Sequence, residues 1–519
     1  GSAIAGSGGS SSRSFCGRPG GTSRCASTGG ATSRAELEAQ YVDFYRIGSA
    51  SVPAIQLNVK GATKSNLRDT FIVSDSTFTQ CGQLRVRSYK GTTSDPVVQV
   101  SRTDFREPMA SDGYALYLTS ASASDWHVIE DNTSTGGFLV RDFKAQMTGN
   151  VVVTEGTYPL NARFKPGAII RSNLFWSDVV TYSAVIYSSP EITFTDNVVW
   201  RGHAVKGRGL TASAATGARF DGNLFLGANP CFDLARPGPA QTWTHNLFVS
   251  PGCSAVWSSR MKDTWFRRNT FAGGHGVRFS GLGPGQVVLK SDVFFDGGVG
   301  VRDHKLITNS VIHTDHHLFY QVGPCFGGAG LDNPKCHYRN VKIAGKTQGV
   351  DPGFGAYDLV ADPLFVDPDF STPYSLEDFL KRRATPSELV DSYRAAFSPR
   401  AESPLIDAAD PSDPLDWRVK DGAADIGAVE RVPSCAHART HGTLYNMEPT
   451  DRVAGKLQNA LHFDGVDEYV SLGEVGSEGD VGGRDAFTLA LWVRPQASGT
   501  RAFYGTGTHW FGLAGDGVL

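Results

Sequence analysis

Between residues 170 and 295 the chain repeats one short phrase of apolar and polar positions: RSNLF, TDNVV, DGNLF, THNLF, RRNTF and KSDVF. The polar member falls at Asn173, Asn197, Asn223, Asn246, Asn269 and Asp292, in steps of 24, 26, 23, 23 and 23 residues. Two residues after it stand Phe175, Val199, Phe225, Phe248, Phe271 and Phe294; three before it stand Ile170, Phe194, Phe220, Trp243, Phe266 and Leu289. Side chains alternate across a strand, so both columns are expected to point inward and their immediate neighbours to solvent. A third apolar segment follows each bend, as in AVIY (184–187), CFDL (231–234), SAVW (254–257) and GVRF (276–279). A period in the low twenties with three short strands and no helical heptads predicts an all-β chain, a right-handed parallel β-helix solenoid whose coils bury one another. Asn at the bend suits a ladder in which each amide bonds the one above and below.

The period also divides the chain. Residues 1–33 are almost entirely Gly, Ser, Thr, Arg and Cys, a flexible leader. Residues 34–340 form the solenoid, with Ser76 and Thr103 in FIVSDSTF and VVQVSRTDF as bends of less regular early coils. In 341–432 the rungs fade. Two short helices are expected there, the second opening at the capping box Thr385-Pro386-Ser387-Glu388 with Leu389, Tyr393 and Phe397 on one face. This segment is expected to cap the last coil. Residues 433–519 have a different texture and form a separate domain.

On these rungs the middle of the chain resembles the bacterial secreted right-handed β-helix proteins, a group that includes polysaccharide lyases, polygalacturonases, epimerases and adhesins. DPLFVDP, SPLIDAAD and DIGAVE resemble the closing segment of such domains. ALHFDGVDEYVSLG (460–473) and AFTLALWVRP (486–495) resemble the start of a laminin G-like or concanavalin A-like β-sandwich, of which 433–519 would be a part. The resemblance implies an acidic polysaccharide along an outer sheet. In the lyases it implies a Lys or Arg base that removes the proton α to a carboxylate, with Ca²⁺ or a second Arg stabilising the charge that builds there.

Composition narrows the setting. A net charge of −3 over 519 residues gives no basic field for nucleic acid, and no apolar run reaches the length of a membrane span. The chain is therefore read as a soluble protein in processed form, and the resemblance implies that it is secreted or at the cell surface. The eight cysteines fit an exported protein, with Cys231 and Cys253, Cys325 and Cys336, and Cys16 and Cys25 as disulfide pairs; the alternative is buried free thiols, with Cys81 and Cys435 the least settled.

Candidate chemistry lies in the outward columns. Two residues before the bend stand Arg171, Thr195, Asp221, Thr244, Arg267 and Lys290, and four before it Arg219 and Trp265. Arg267 and Lys290 fall one coil apart, beside a Trp that can stack on a sugar ring. A second group, His203, Lys206, Arg208, His275 and Arg278, sits in or beside Gly-rich turns. From these, Lys290, Arg267, Arg278 and His275 are the catalytic candidates, and Trp265, Arg219, Asp221, Arg171, His203 and Lys206 the substrate-binding ones. Gly274-His275-Gly276 resembles the GHG of polygalacturonases, but the Asp strings that hydrolysis needs do not accompany it. The run His313-Thr314-Asp315-His316-His317, near Asp303 and His304, is dense in metal-type ligands, yet consecutive strand residues face opposite ways. Calcium is admitted as a cofactor without a located site: DPSDPLD (410–416) offers oxygens but no EF-hand spacing. Two functions follow: a polysaccharide lyase acting on an acidic glycan, or a non-catalytic adhesin with a β-helix stalk and a binding sandwich.

Overall fold

A computed structural model describes most of residues 36–322 apart from several loops, then 326–328, 342–343, 357–412 and 423–431, and short strands between 443 and 513. Residues up to Arg431 form one unit and Val432–Leu519 another. The first is a parallel β-helix of three sheets. Sheet 1, before the bend, runs from Glu36–Gln40 to Lys342–Ile343; sheet 2, after it, from Asp43–Tyr45 to Leu359–Val360; sheet 3 from Ile55–Val59 to Phe326–Gly328. Each strand pairs in parallel with the equivalent strand of the next coil.

The bend between sheets 1 and 2 has two parts. The residue before each ladder position takes a left-handed conformation: Ser172, Asp196, Gly222, His245, Arg268 and Ser291 have φ of 54°, 53°, 67°, 53°, 53° and 56°. A non-glycine residue there is strained and must be held by its surroundings. The ladder holds it. Asn132, Asn150, Asn173, Asn197, Asn223, Asn246 and Asn269 each donate from Nδ2 to the Oδ1 one coil on, at 2.8–3.1 Å. The same Oδ1 accepts the backbone N–H of the residue below, so each bend is closed twice. The ladder extends two rungs earlier than the repeated phrase shows. It begins as expected at Thr103, whose N–H donates to Asn132 Oδ1 at 3.0 Å, and at Ser76, whose Oγ accepts from Val42 N–H.

Both predicted inward columns are buried. Phe225, Phe248, Phe271, Phe294 and Phe319 stack with centroids 4.7–5.1 Å apart, and Phe220 lies 3.8 Å from Trp243. Such pairs contribute about 0.5–1.5 kcal/mol each beyond their buried area.

The neighbours of the sheet 2 column, expected in solvent, are buried as well. Leu174, Val198, Leu224, Leu247 and Val293 are at most 3% exposed. Their cover comes from residues 361–412 and 423–431, part of the segment expected over the last coil. It lies along the flank of sheet 2. Phe365, Phe379, Leu389, Val390, Tyr393, Phe397, Leu405 and Ile426 pack on that outer face. The physical reason is that from Val151 onward sheet 2 is apolar on both sides, which requires a second layer. Helices α1 (Leu376–Leu380) and α2 (Pro386–Ala396) both carry the capping box. Ion pairs fix the strap along its length: Arg382 with Asp104 at 2.8 Å, Arg394 with Asp196 at 2.6 Å, and Lys290 with Asp410. At Gly427, with φ of +103°, a Cβ would stand 2.8 Å from Val293 Cγ2, so this glycine of DIGAVE permits the closest approach to the sheet.

In the C-terminal unit the described strands pair antiparallel, Thr443–Tyr445 with Tyr469–Ser471, Arg452–Ala454 with Asn459–Leu461, and Arg501–Thr506 with His509–Leu513. Residues 486–495, half of the sandwich motif, lie outside the described residues.

Two outcomes follow. Asn246→Leu leaves the Asn223 side chain and backbone donors without their acceptor, at a cost of about 1–3 kcal/mol for each buried group; urea unfolding of the variant is expected to shift to lower denaturant by the sum. The second concerns the strap. Burial of Asp410 opposes its ionisation, but hydrogen bonds from Lys290 and Ser412 outweigh this and hold its carboxyl at about 2. A carboxyl depressed in the folded state stabilises above its unfolded pKa, near 3.9, and that contribution is lost as pH falls through 2. The hydrogen-exchange protection factors of residues 403–411, taken relative to the intrinsic rate at each pH, are therefore expected to fall between pH 4 and 2, and Lys290→Met to abolish this step.

Candidate anion-binding face

Register confirms that Arg171, Thr195, Asp221, Thr244, Arg267 and Lys290 form one outward column on sheet 1. Most of its charges are already matched. Arg171 faces Asp196 at 3.8 Å, and Arg219, exposed, reaches Asp221 at 3.1 Å. Asp221 is 2% exposed and also accepts from Thr244 Oγ1 at 2.7 Å, so it is a structural carboxylate. Lys290 is paired with Asp410 of the strap. Arg267 is half-buried, and Trp265, also half-buried, stands in register with Thr242 and Val288.

The remaining candidates do not join that column. Arg278 is half-buried on sheet 3, in register with Trp257 and Arg302, and the backbone of His275 aligns with Ser254 and Val299 on the same sheet. Thus Lys290 and Arg267 belong to a different sheet than Arg278 and His275. His203 and Lys206 lie outside the described residues, as do Cys16, Cys25, Cys231, Cys253, Cys325, Cys336 and Cys435. Cys81 is described. It is a free, buried thiol donating to Phe44 O at 3.4 Å and Thr79 O at 3.3 Å, and burial pushes its pKa up.

The histidine run diverges. His317 enters the ladder: its Nδ1 accepts the Asp292 N–H at 3.2 Å, which puts the proton on Nε2, 2.8 Å from Thr314 Oγ1. Desolvation lowers its pKa and keeps it neutral. His316, at φ 57°, stacks on Tyr357 at 4.7 Å. Among the described residues no three His, Cys, Asp or Glu side chains gather as a metal site. In the 410–416 turn the Asp410 oxygens are taken by Lys290 and by Ser412 N–H.

From Val151 onward sheet 2 is covered by the strap, and sheet 1 is largely self-neutralised. Sheet 3 in the early coils differs from both. Leu84 and Val86, Leu116 and Leu118, Phe138 and Val140, and Leu160 and Ala162 point inward, all fully buried. Between them one outward column carries Arg87, Thr119, Arg141 and Arg163 in register. The adjacent column carries Arg85, Tyr117, Leu139 and Asn161. The Arg85 and Arg87 guanidiniums lie 4.8 and 5.1 Å from the Tyr117 ring centre, and Arg141 and Arg163 each 5.9 Å from that of Tyr187. Stacking of this kind fixes the plane of a guanidinium and leaves its N–H edge available.

These arginines divide by partner. Arg163 is bonded to Asp142 through Nε at 2.7 Å, and Arg85 to Gln83 at 2.8 Å. Among the described residues, Arg87 and Arg141 meet no carboxylate. The sequence reading concentrated on the six regular rungs and passed over this face. Its signal was the alternation of Arg with apolar residues in LRVRS, FLVRD and NARF.

No protein-family model matches this chain, and no curated protein does. Among solved structures it is similar to tailspike protein 3 of bacteriophage CBA120, with a TM-score of 0.35 and 12% sequence identity over 61% of this chain. The match spans little more than half of the tailspike, 55% of its length. At that score the likeness carries no argument. The class rests on the fold itself, an all-β parallel β-helix. Among the described residues no helix is long and apolar enough to cross a membrane.

Proposed function

We propose that this chain is an extracellular, carbohydrate-directed β-helix protein that holds an acidic polysaccharide against the outer face of sheet 3. The observation that carries this reading is the pair Arg87 and Arg141, two cations that meet no carboxylate among the described residues and lie beside the rings of Tyr117 and Tyr187. Carboxylates and sulfates take a guanidinium edge in a bidentate manner, and the apolar faces of sugar rings pack on aromatic ones. A net charge of −3 gives no wider basic field of the kind that nucleic acid requires. Binding without chemistry is favoured over β-elimination, because Lys290 is held by Asp410 and because the four catalytic candidates belong to two different sheets. On this reading the C-terminal unit is a laminin G-like accessory module for carbohydrate or a protein partner.

The test is calorimetric titration with hyaluronan, alginate, chondroitin sulfate, pectate and neutral dextran, with absorbance near 235 nm followed in parallel. Saturable binding to acidic chains, none to dextran, and a loss of at least tenfold in affinity for the Arg87→Gln/Arg141→Gln double variant are expected, with flat absorbance. No binding to any acidic chain overturns the proposal. A rise in absorbance overturns its non-catalytic part and restores the lyase.

A further inference from the structure

The charge pattern on sheet 3 alternates from coil to coil. Arg87 and Arg141 are each in register with Thr119, so they stand two coils apart with a small neutral residue between them. Arg163 follows one coil beyond Arg141, but its guanidinium is matched by Asp142. Asn58 precedes Arg87 by one coil. Along this column, positive charge that meets no carboxylate among the described residues therefore appears, disappears, appears and disappears. Neighbouring strands are about 4.8 Å apart, which separates the two unmatched arginines by about 10 Å along the solenoid axis.

Building on the acidic-glycan reading above, we propose that this spacing is a ruler. It selects a linear, extended glycan lying parallel to the solenoid axis, with anionic groups on every second sugar facing the sheet. In a chain joined through equatorial bonds, successive sugars turn by roughly half a revolution, so groups on one edge recur every second residue, over a length close to two coil steps. The sugar between two anchored ones then lies over Thr119, whose short side chain leaves room, next to the ring of Tyr117 two residues earlier on the same strand. A chain joined through axial bonds winds differently and brings its acids out of step with the column. Engaging both arginines converts the second contact into an intramolecular one, which raises affinity without new chemistry.

The experiment compares hyaluronan oligosaccharides, in which glucuronate alternates with a neutral sugar, with galacturonate oligomers of equal length, by calorimetry on the whole chain. The hyaluronan tetrasaccharide, with two acids, is expected to bind at least tenfold more tightly than the disaccharide, with one. Galacturonate oligomers are expected to show no such step. Arg87→Gln and Arg141→Gln, made singly and checked for unchanged thermal unfolding, are each expected to remove the step. Asp142→Asn frees the Arg163 guanidinium and is expected to narrow the preference for hyaluronan over galacturonate. A step that survives both single variants, or an equal step with galacturonate, overturns the ruler while leaving glycan binding intact. If no acidic oligomer of any length binds, the underlying reading falls with it.

Discussion

The asparagine ladder is the constraint on which the rest of this molecule depends. Every coil must turn sharply between sheets 1 and 2, and it does so through a residue held in the left-handed region, often one with a side chain as large as Arg268 or His245. That conformation is unfavourable in isolation. It persists because the next residue is buried and bonded to the coils on both sides, so that no single bend can relax without breaking its neighbours' hydrogen bonds. Aromatic stacking then follows from the ladder. Once the bends are in register, positions two residues later are one strand spacing apart, and rings there have little choice but to lie over one another.

A parallel β-helix offers three outer faces, and each has a different fate here. From Val151 onward sheet 2 is apolar outside as well as inside and is taken by the strap, whose two helices run along it and whose ion pairs reach from Asp104 to Lys290. Sheet 1 carries opposite charges that mostly satisfy one another. Sheet 3 in the early coils is left with arginine and tyrosine outward. The strap thus has a functional consequence beyond stability. By consuming Lys290 and by covering one side, it helps decide which side remains open to a ligand.

Much of the fold was legible in the sequence because it is periodic and local. The repeated Asn marks the bend, the residue at +2 marks the core, and the strand length between them leaves little freedom. The strap was legible only in part. Its helices are announced by Thr385 and Glu388, but its docking surface is written in the second apolar residue of each rung, Leu174, Val198, Leu224, Leu247 and Val293, which was read as solvent-facing. Two consecutive apolar positions in a short strand mean burial on both sides, and that signal stood in the chain.

The candidate face was less legible, for a physical reason. By itself the sequence determined the coil period, the register and the inward columns, since these depend on residues one coil apart. Only the tertiary structure decided which charges remain available, since charge cancellation depends on partners that the period does not place: Lys290 meets an aspartate 120 residues away, while Arg87 and Arg141 meet none among the described residues. An arginine in a sequence is a cation in every fold. Whether it is a binding group depends on what else the chain has brought beside it.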